Sequence, residues 1–308
     1  NEAPTLSSTL AASSFPESST VGTTIANYSA SDPESGTITY SLSGTDSSKF
    51  SIASDGTLTL ASILDYETKQ AYSITVNASD GTNTVSQGLT ISASNVNEAP
   101  SLSITLAASS FAESSSVGIT IATSSASDAE ASSITYSLSG TDSGKFAIAS
   151  SGTVTLASTL DYETKQAYNI TVNASDGTNI SSQTLTVTTT NVNEAPSLSS
   201  TLVASSFAES SSVGTTVATS SVSDPESGSI TYSLSGTDSG KFAITSNGTV
   251  TIGSLLDYET KQAYSVTVNA SDGTYTTSQS LTVTTTNVNE VPTLSSTLAA
   301  SSFAESSV

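Results

Sequence analysis

The amino-acid sequence predicts an all-β protein: tandem seven-stranded antiparallel Greek-key β-sandwiches joined end to end in an extended rod. Three observations carry that reading. The 308-residue chain repeats itself at a constant spacing, so that Phe15, Phe111, Phe207 and Phe303 fall on one another without insertion or deletion. Within each repeat the apolar residues alternate with polar ones, the period of a half-buried strand. No stretch of ~11 residues carries the apolar stripe of an amphipathic helix.

The elements follow in order. The first strand is expected near residues 6 to 15 and the second at "TTIAN" near 23. In "TITYSL", Ile38, Tyr40 and Leu42 share a face. "FSIA" near 50 and "TLTLA" near 57 give two short strands. In "AYSITVNA", Tyr72, Ile74, Val76 and Ala78 point one way, and "GLTISA" near 88 completes the seven. Glycine, serine and aspartate punctuate the gaps. The repetition sets domains at 1–96, 97–192 and 193–288, and 289–308 repeats the start of a fourth. The core is built from Val, Ile, Leu, Ala, Tyr and Phe, because the chain has no tryptophan or methionine. So lean a sandwich would benefit from an added staple.

Composition removes several function classes. The net charge of −21 arises from 27 acids against six lysines, with no histidine. A chain with so few cations cannot neutralise a phosphate backbone, so nucleic acid is excluded as a partner. With no cysteine there are no disulfides and no thiolate chemistry. No apolar run approaches the ~20 residues of a membrane span, so this segment is not expected to insert into a membrane. The N-terminus lacks the layout of a signal peptide, as expected of a mature or internal segment. An enzyme is not expected from duplicated units without histidine or cysteine.

The acids of the first repeat are Glu2, Glu17, Asp32, Glu34, Asp46, Asp55, Asp65, Glu67 and Asp80, and all but Asp55 recur in the next copy. The stretches "FAESSSVG", "SDPESGSITYSL", "LDYE", "VNASDG" and "NVNEAP" stand in the order and spacing of a cadherin-type extracellular repeat. The whole chain resembles that family, whose domains have an immunoglobulin-like architecture. The resemblance implies calcium between successive domains, held by acids from five motifs. Carried over, the first junction takes Glu17, Asp65, Glu67, Asn95, Asn97 and Glu98 from one side and Asp128, Glu130 and Asp176 from the other. The second takes Glu113, Asp161, Glu163, Asn191, Asn193 and Glu194, with Asp224, Glu226 and Asp272. Calcium suits such a set, being a hard cation that takes six to eight oxygens at ~2.3–2.6 Å.

The linker departs from the family pattern. Asparagine replaces its leading aspartate, glutamate replaces the next, and it is one residue shorter; the acidic pair of the next domain reads Asp32-Pro33-Glu34. Lower ligand charge implies weaker binding, with about one to three ions per junction. Such departures resemble the cadherin-like arrays of microbial surface proteins. Lys69, Lys165 and Lys261 read as loop cations near acids rather than cross-linking lysines.

The expected function is a non-enzymatic extracellular rod at the cell surface, stiffened by Ca2+ at its linkers and serving as a stalk, adhesin segment or surface filament. At ~3.3 Å per strand residue, three units span roughly 120–140 Å. Expected partners are neighbouring repeats of the chain, then identical chains in a filament or another cell surface. The alternatives are a filament joined by strand donation from 289–308 and a carbohydrate or homophilic binding module.

Overall fold

The structure is a computed structural model and describes residues 1–295. Residues 296–308 lie outside the described residues, and with them Phe303 and most of the segment proposed for strand donation. By packing, the chain divides into two compact units, 1–160 with 167–189 and 161–166 with 190–308.

The first repeat contains β1 (Thr5–Leu10), β2 (Ser14–Pro16), β3 (Thr24–Ser31), β4 (Thr39–Ser43), β5 (Phe50–Ile52), β6 (Thr57–Leu60), β7 (Ala71–Ser79) and β8 (Thr84–Ser94). One sheet has the order β1-β3-β6-β5 and the other β2-β8-β7-β4, so two four-stranded sheets enclose the core. Equivalent strands recur from Ser101–Leu106 to Ile180–Thr190 and from Ser197–Leu202 to Thr276–Thr286. The all-β sandwich expected from the alternation is the fold observed.

One element differs in detail. The single strand expected near 6–15 is split: β1 runs antiparallel to β3, and β2 crosses to the other sheet and runs parallel to β8. The break falls on small residues, Ala11 to Ser13, and places Phe15 in the core at 7% exposure. A strand that changes sheets serves two partners, which alternation within one strand does not reveal.

Elsewhere the period of two matches burial. Tyr72, Ile74, Val76 and Ala78 are all buried, while Tyr40 and Leu42 on β4 are half-buried on the same inner face. A register shift between Thr24 and Ala26 turns two successive residues, Ile25 and Ala26, into the core, the work of a β-bulge. Phe50 and Tyr72 meet edge to face at 6.4 Å, and the pair recurs as Phe146–Tyr168 and Phe242–Tyr264. Gly56, with φ +83°, turns the chain between β5 and β6; a Cβ there would stand 2.1 Å from the Tyr28 carbonyl oxygen. Each repeat also has a single 3₁₀ turn, Ser47–Lys49 in the first, that was not expected from sequence.

Candidate metal centre at the first linker

Strand β8 leads directly into the "NVNEAP" segment, and the acids gather around that exit. Glu17 follows β2, whose parallel pairing with β8 is extended by the Glu17 N–H donating to the Ser94 carbonyl at 3.1 Å. Its side chain is only 6% exposed. The carboxylate accepts from the Tyr66 N–H at 2.7 Å and the Val96 N–H at 2.8 Å, tying the β6–β7 loop to the linker. Two charge-assisted bonds of this kind are what permit a buried carboxylate.

The β6–β7 loop supplies Asp65 and Glu67. Asp65 is held by the Thr68 N–H at 2.7 Å, and these bonds from Thr68 draw its pKa below the usual aspartate value. Oxygens of Glu17, Glu67 and Glu98 all lie within 4.8 Å of one another. Glu67, Ile63, Asp65 and Glu98 line a cavity of about 500 Å3 that Ala129 of the next repeat helps to close.

The second repeat contributes from the other side. The Glu130 carboxylate accepts from the Glu98 N–H at 3.3 Å, and Asp176 accepts from the Asn97 side-chain amide at 2.7 Å. Asp176 also receives the N–H groups of Asn179 and Thr178, which lower its pKa. Asn95 donates to Glu67 at 3.2 Å. Both linker asparagines therefore turn NH2 groups toward carboxylates.

The electrostatics are unbalanced. Loss of solvation, and then the charges of Glu17, Glu130 and Glu67, push the Glu98 carboxyl up to about 7. Glu67 is raised for the same reason, with Glu17 and Glu130 as its charged neighbours. Among the described residues, one oxygen each of Asp128 and Glu130 is buried with no hydrogen-bond partner. Buried carboxylate oxygens without donors are costly. This hard-oxygen donor set with orphaned oxygens fits a calcium ion.

The equivalent residues farther along have the same local arrangements. In the first compact unit, Glu113 is buried as Glu17 is, at 4% exposure. In the second, the Thr164 N–H donates to Asp161 at 2.6 Å and Asn191 donates to Glu163 at 2.8 Å. The Glu194 N–H donates to Glu226 at 3.3 Å and Asn193 to Asp272 at 2.9 Å. Asp224 and Glu226 each keep one buried, unpartnered oxygen.

Sequence reasoning left some participants out. Asn179 donates to the Asn97 carbonyl at 2.9 Å and so holds the linker backbone; nothing in an isolated asparagine signals that. Glu209, Asp257 and Glu259 form a further acidic cluster within 4.8 Å. The repeat spacing that generates the first two sets would have generated this third one. At the start of the chain, Asn1 donates to Asp80 at 2.9 Å and the Glu2 N–H to Glu34 at 3.2 Å, the bonds of Asn97 and Glu98 over again.

Tandem two-sheet sandwiches with acids collected at the linker define a class of repeat, and the comparison with known families says which. The Cadherin domain pattern matches residues 12–94, 108–193 and 204–289, and the chain belongs to the cadherin family. Cadherin domains are extracellular, non-enzymatic adhesion modules that bind calcium at linkers between repeats. Human Protocadherin Fat 4 is 35% identical over 146 residues, 44% of this chain and 3% of that protein's length. The chain therefore spans a small fraction of that relative.

Among solved structures, protocadherin gammaB7 EC3-6, described as a cis-dimer, is 25% identical with TM-score 0.57, covering 92% of this chain and 73% of that one. Mouse Cadherin-23 EC22-24 is 25% identical with TM-score 0.54, covering 94% and 100%. Among the described residues, no helix is long and apolar enough to cross a membrane.

Proposed function

We propose that the chain is a segment of a cell-surface rod or adhesive stalk, with domains at 1–96, 97–192 and 193–288, whose linkers are stiffened by calcium. The observation that carries this reading is the pairing of a three-glutamate cluster, Glu17, Glu67 and Glu98, with the unpartnered buried oxygens of Asp128 and Glu130. Loops of the first repeat would hold the ion through Glu17, Asp65 and Glu67, the linker through Asn95, Asn97 and Glu98, and the second repeat through Asp128, Glu130 and Asp176. Bound calcium supplies positive charge where these carboxylates repel one another. The second linker would use Glu113, Asp161, Glu163, Asn191, Asn193, Glu194, Asp224, Glu226 and Asp272 in the same roles.

This chain's residues do the rest. Glu17 links strand pair β2–β8, the β6–β7 loop and the linker through its two backbone bonds, so an ion on Glu17 reports directly to the sandwich. The buried Pro100 limits the linker's freedom. A microbial origin rests on the linker departures alone, since the named relatives are human and mouse proteins. Lateral pairing of like chains is a second reading, favoured by the cis-dimer of protocadherin gammaB7.

Calorimetric titration with calcium tests the site. About one to three ions per linker are expected, and Glu17→Gln is expected to weaken those of the first linker while leaving the rest. Absence of calcium uptake by the unsubstituted chain would overturn the reading.

A further inference from the structure

The loop that carries Asp65 and Glu67 is gripped at both ends by one short turn on the neighbouring corner of the sandwich. At the start of the loop, the N–H groups of Ala61 and Ser62 donate to the Lys49 carbonyl at 2.8 and 3.2 Å. The Lys49 ammonium in turn donates to the Ile63 carbonyl at 3.3 Å. At its end, the Lys69 ammonium meets both Asp46 oxygens at 2.6 and 2.8 Å. The Ser73 N–H donates to the same Asp46 carboxylate at 2.7 Å, and Lys69 lies over the Tyr72 ring, 5.6 Å from its centre. Between the two grips, the Lys69 N–H closes the loop onto the Asp65 carbonyl at 2.9 Å.

The arrangement is not peculiar to one repeat. Lys145 reaches the Thr159 carbonyl at 2.8 Å and Lys241 the Leu255 carbonyl at 2.7 Å. Lys261 pairs with Asp238 at 2.7 Å, and the Ser265 N–H completes that carboxylate at 2.6 Å. The side chain at the gripped carbonyl changes from isoleucine to threonine to leucine, yet the grip persists because it acts on backbone. Lys69 stands 42% exposed beside an Asp46 that is 11% exposed, and an ion pair open to solvent on one side adds only modest stability of its own. What the pair holds in place is the more telling feature, since Lys49 and Lys69 engage opposite ends of the loop that carries Asp65 and Glu67. Asp46, Asp142 and Asp238 are the recurrent acids left outside the ligand pattern, and this geometry gives that position a role.

We propose that the Asp46–Lys49 turn, together with Lys69, is a positioning bracket that fixes the loop bearing Asp65 and Glu67 for a divalent cation. The proposal rests on the calcium reading above. Asp46, Lys49 and Lys69 do not touch the ion; they hold the backbone from which its ligands project, and Asp238, Lys241 and Lys261 do so in the third repeat.

The test uses the full chain with Lys69→Met, Asp46→Asn and Lys69→Arg, titrated with calcium and followed by amide hydrogen exchange in chelator. Lys69→Met and Asp46→Asn are expected to weaken calcium at the first linker about tenfold, the low end of what outer-shell partners contribute. The Thr68 and Lys69 amides should exchange faster, with Tm in chelator unchanged, and Lys69→Arg should restore both affinity and protection. Wild-type affinity in both Lys69→Met and Asp46→Asn overturns the bracket. If the unsubstituted chain takes up no calcium, the functional reading fails instead. The bracket is then decided by exchange alone: faster Thr68 and Lys69 amides in Lys69→Met support it, and unchanged ones overturn it.

Discussion

The interior of a sandwich and the linker that follows it are built on opposite terms. In the interior, Ile25, Leu58 and Val76 have no exposure, and among the described residues the buried acids are Glu17, Glu113 and Glu209. At the first linker, carboxylates crowd together and two buried oxygens have no donor. The difference teaches that the sandwich holds itself together by burial, whereas the linker gathers carboxylates that repel one another, a repulsion the proposed ion would relieve. Ions should therefore govern how repeats are held to one another far more than whether each repeat folds.

Changes in the body should be large and indifferent to calcium. Ile74→Ala deletes a side chain that is 2% exposed, and a loss of about 2–5 kcal/mol is expected by denaturant unfolding. Saturating calcium should leave that loss unchanged; a loss erased by calcium would break the contrast.

Gly56→Ala should come next. It would force a Cβ against the Tyr28 carbonyl at a left-handed φ, for a cost of about 1–3 kcal/mol, again independent of the ion.

The smallest effect is expected from pH, and it distinguishes the linker from the body. Glu98 is raised from its ordinary value to about 7, first by desolvation and then by its acidic neighbours. A carboxyl raised in the folded state contributes stability that is complete below its unfolded pKa and lost as pH rises through the folded one. The calcium-free chain should therefore lose stability between about pH 5 and pH 7.5. Asp65 and Asp176, whose pKa values are lowered, lose their contribution only in more acid solution, below about pH 4. With calcium bound the trend should reverse, because its ligands must be deprotonated. Thermal unfolding across that range, with calcium and with chelator, reads both slopes.

Much of this was legible in the sequence because repetition made each element visible several times. The alternation in "AYSITVNA" gave β7 and its buried face residue by residue, and the recurrence of Glu17, Asp65, Glu67 and Glu98 marked residues that the fold gathers at one linker. What stayed hidden depends on segments distant in sequence. The split of the first strand is decided by β3 and β8 competing for it. The inward turn of both Ile25 and Ala26 depends on a bulge against β6 that alternation does not encode. Lys69 read as a loop cation near acids, but which acid it meets stayed hidden because Asp46 lies on another corner, 23 residues earlier. Asn95 and Asn97 turn their NH2 groups toward Glu67 and Asp176. An asparagine offers either end, and the letter does not say which.

Solution scattering and thermal unfolding of the chain, each in calcium and in chelator, test the stiffened-linker reading most directly. With calcium, Tm should rise and the maximum dimension should hold near roughly 120–140 Å for three units in line; in chelator the distribution of dimensions should broaden and shorten. Identical Tm and identical maximum dimension in the two conditions would contradict it.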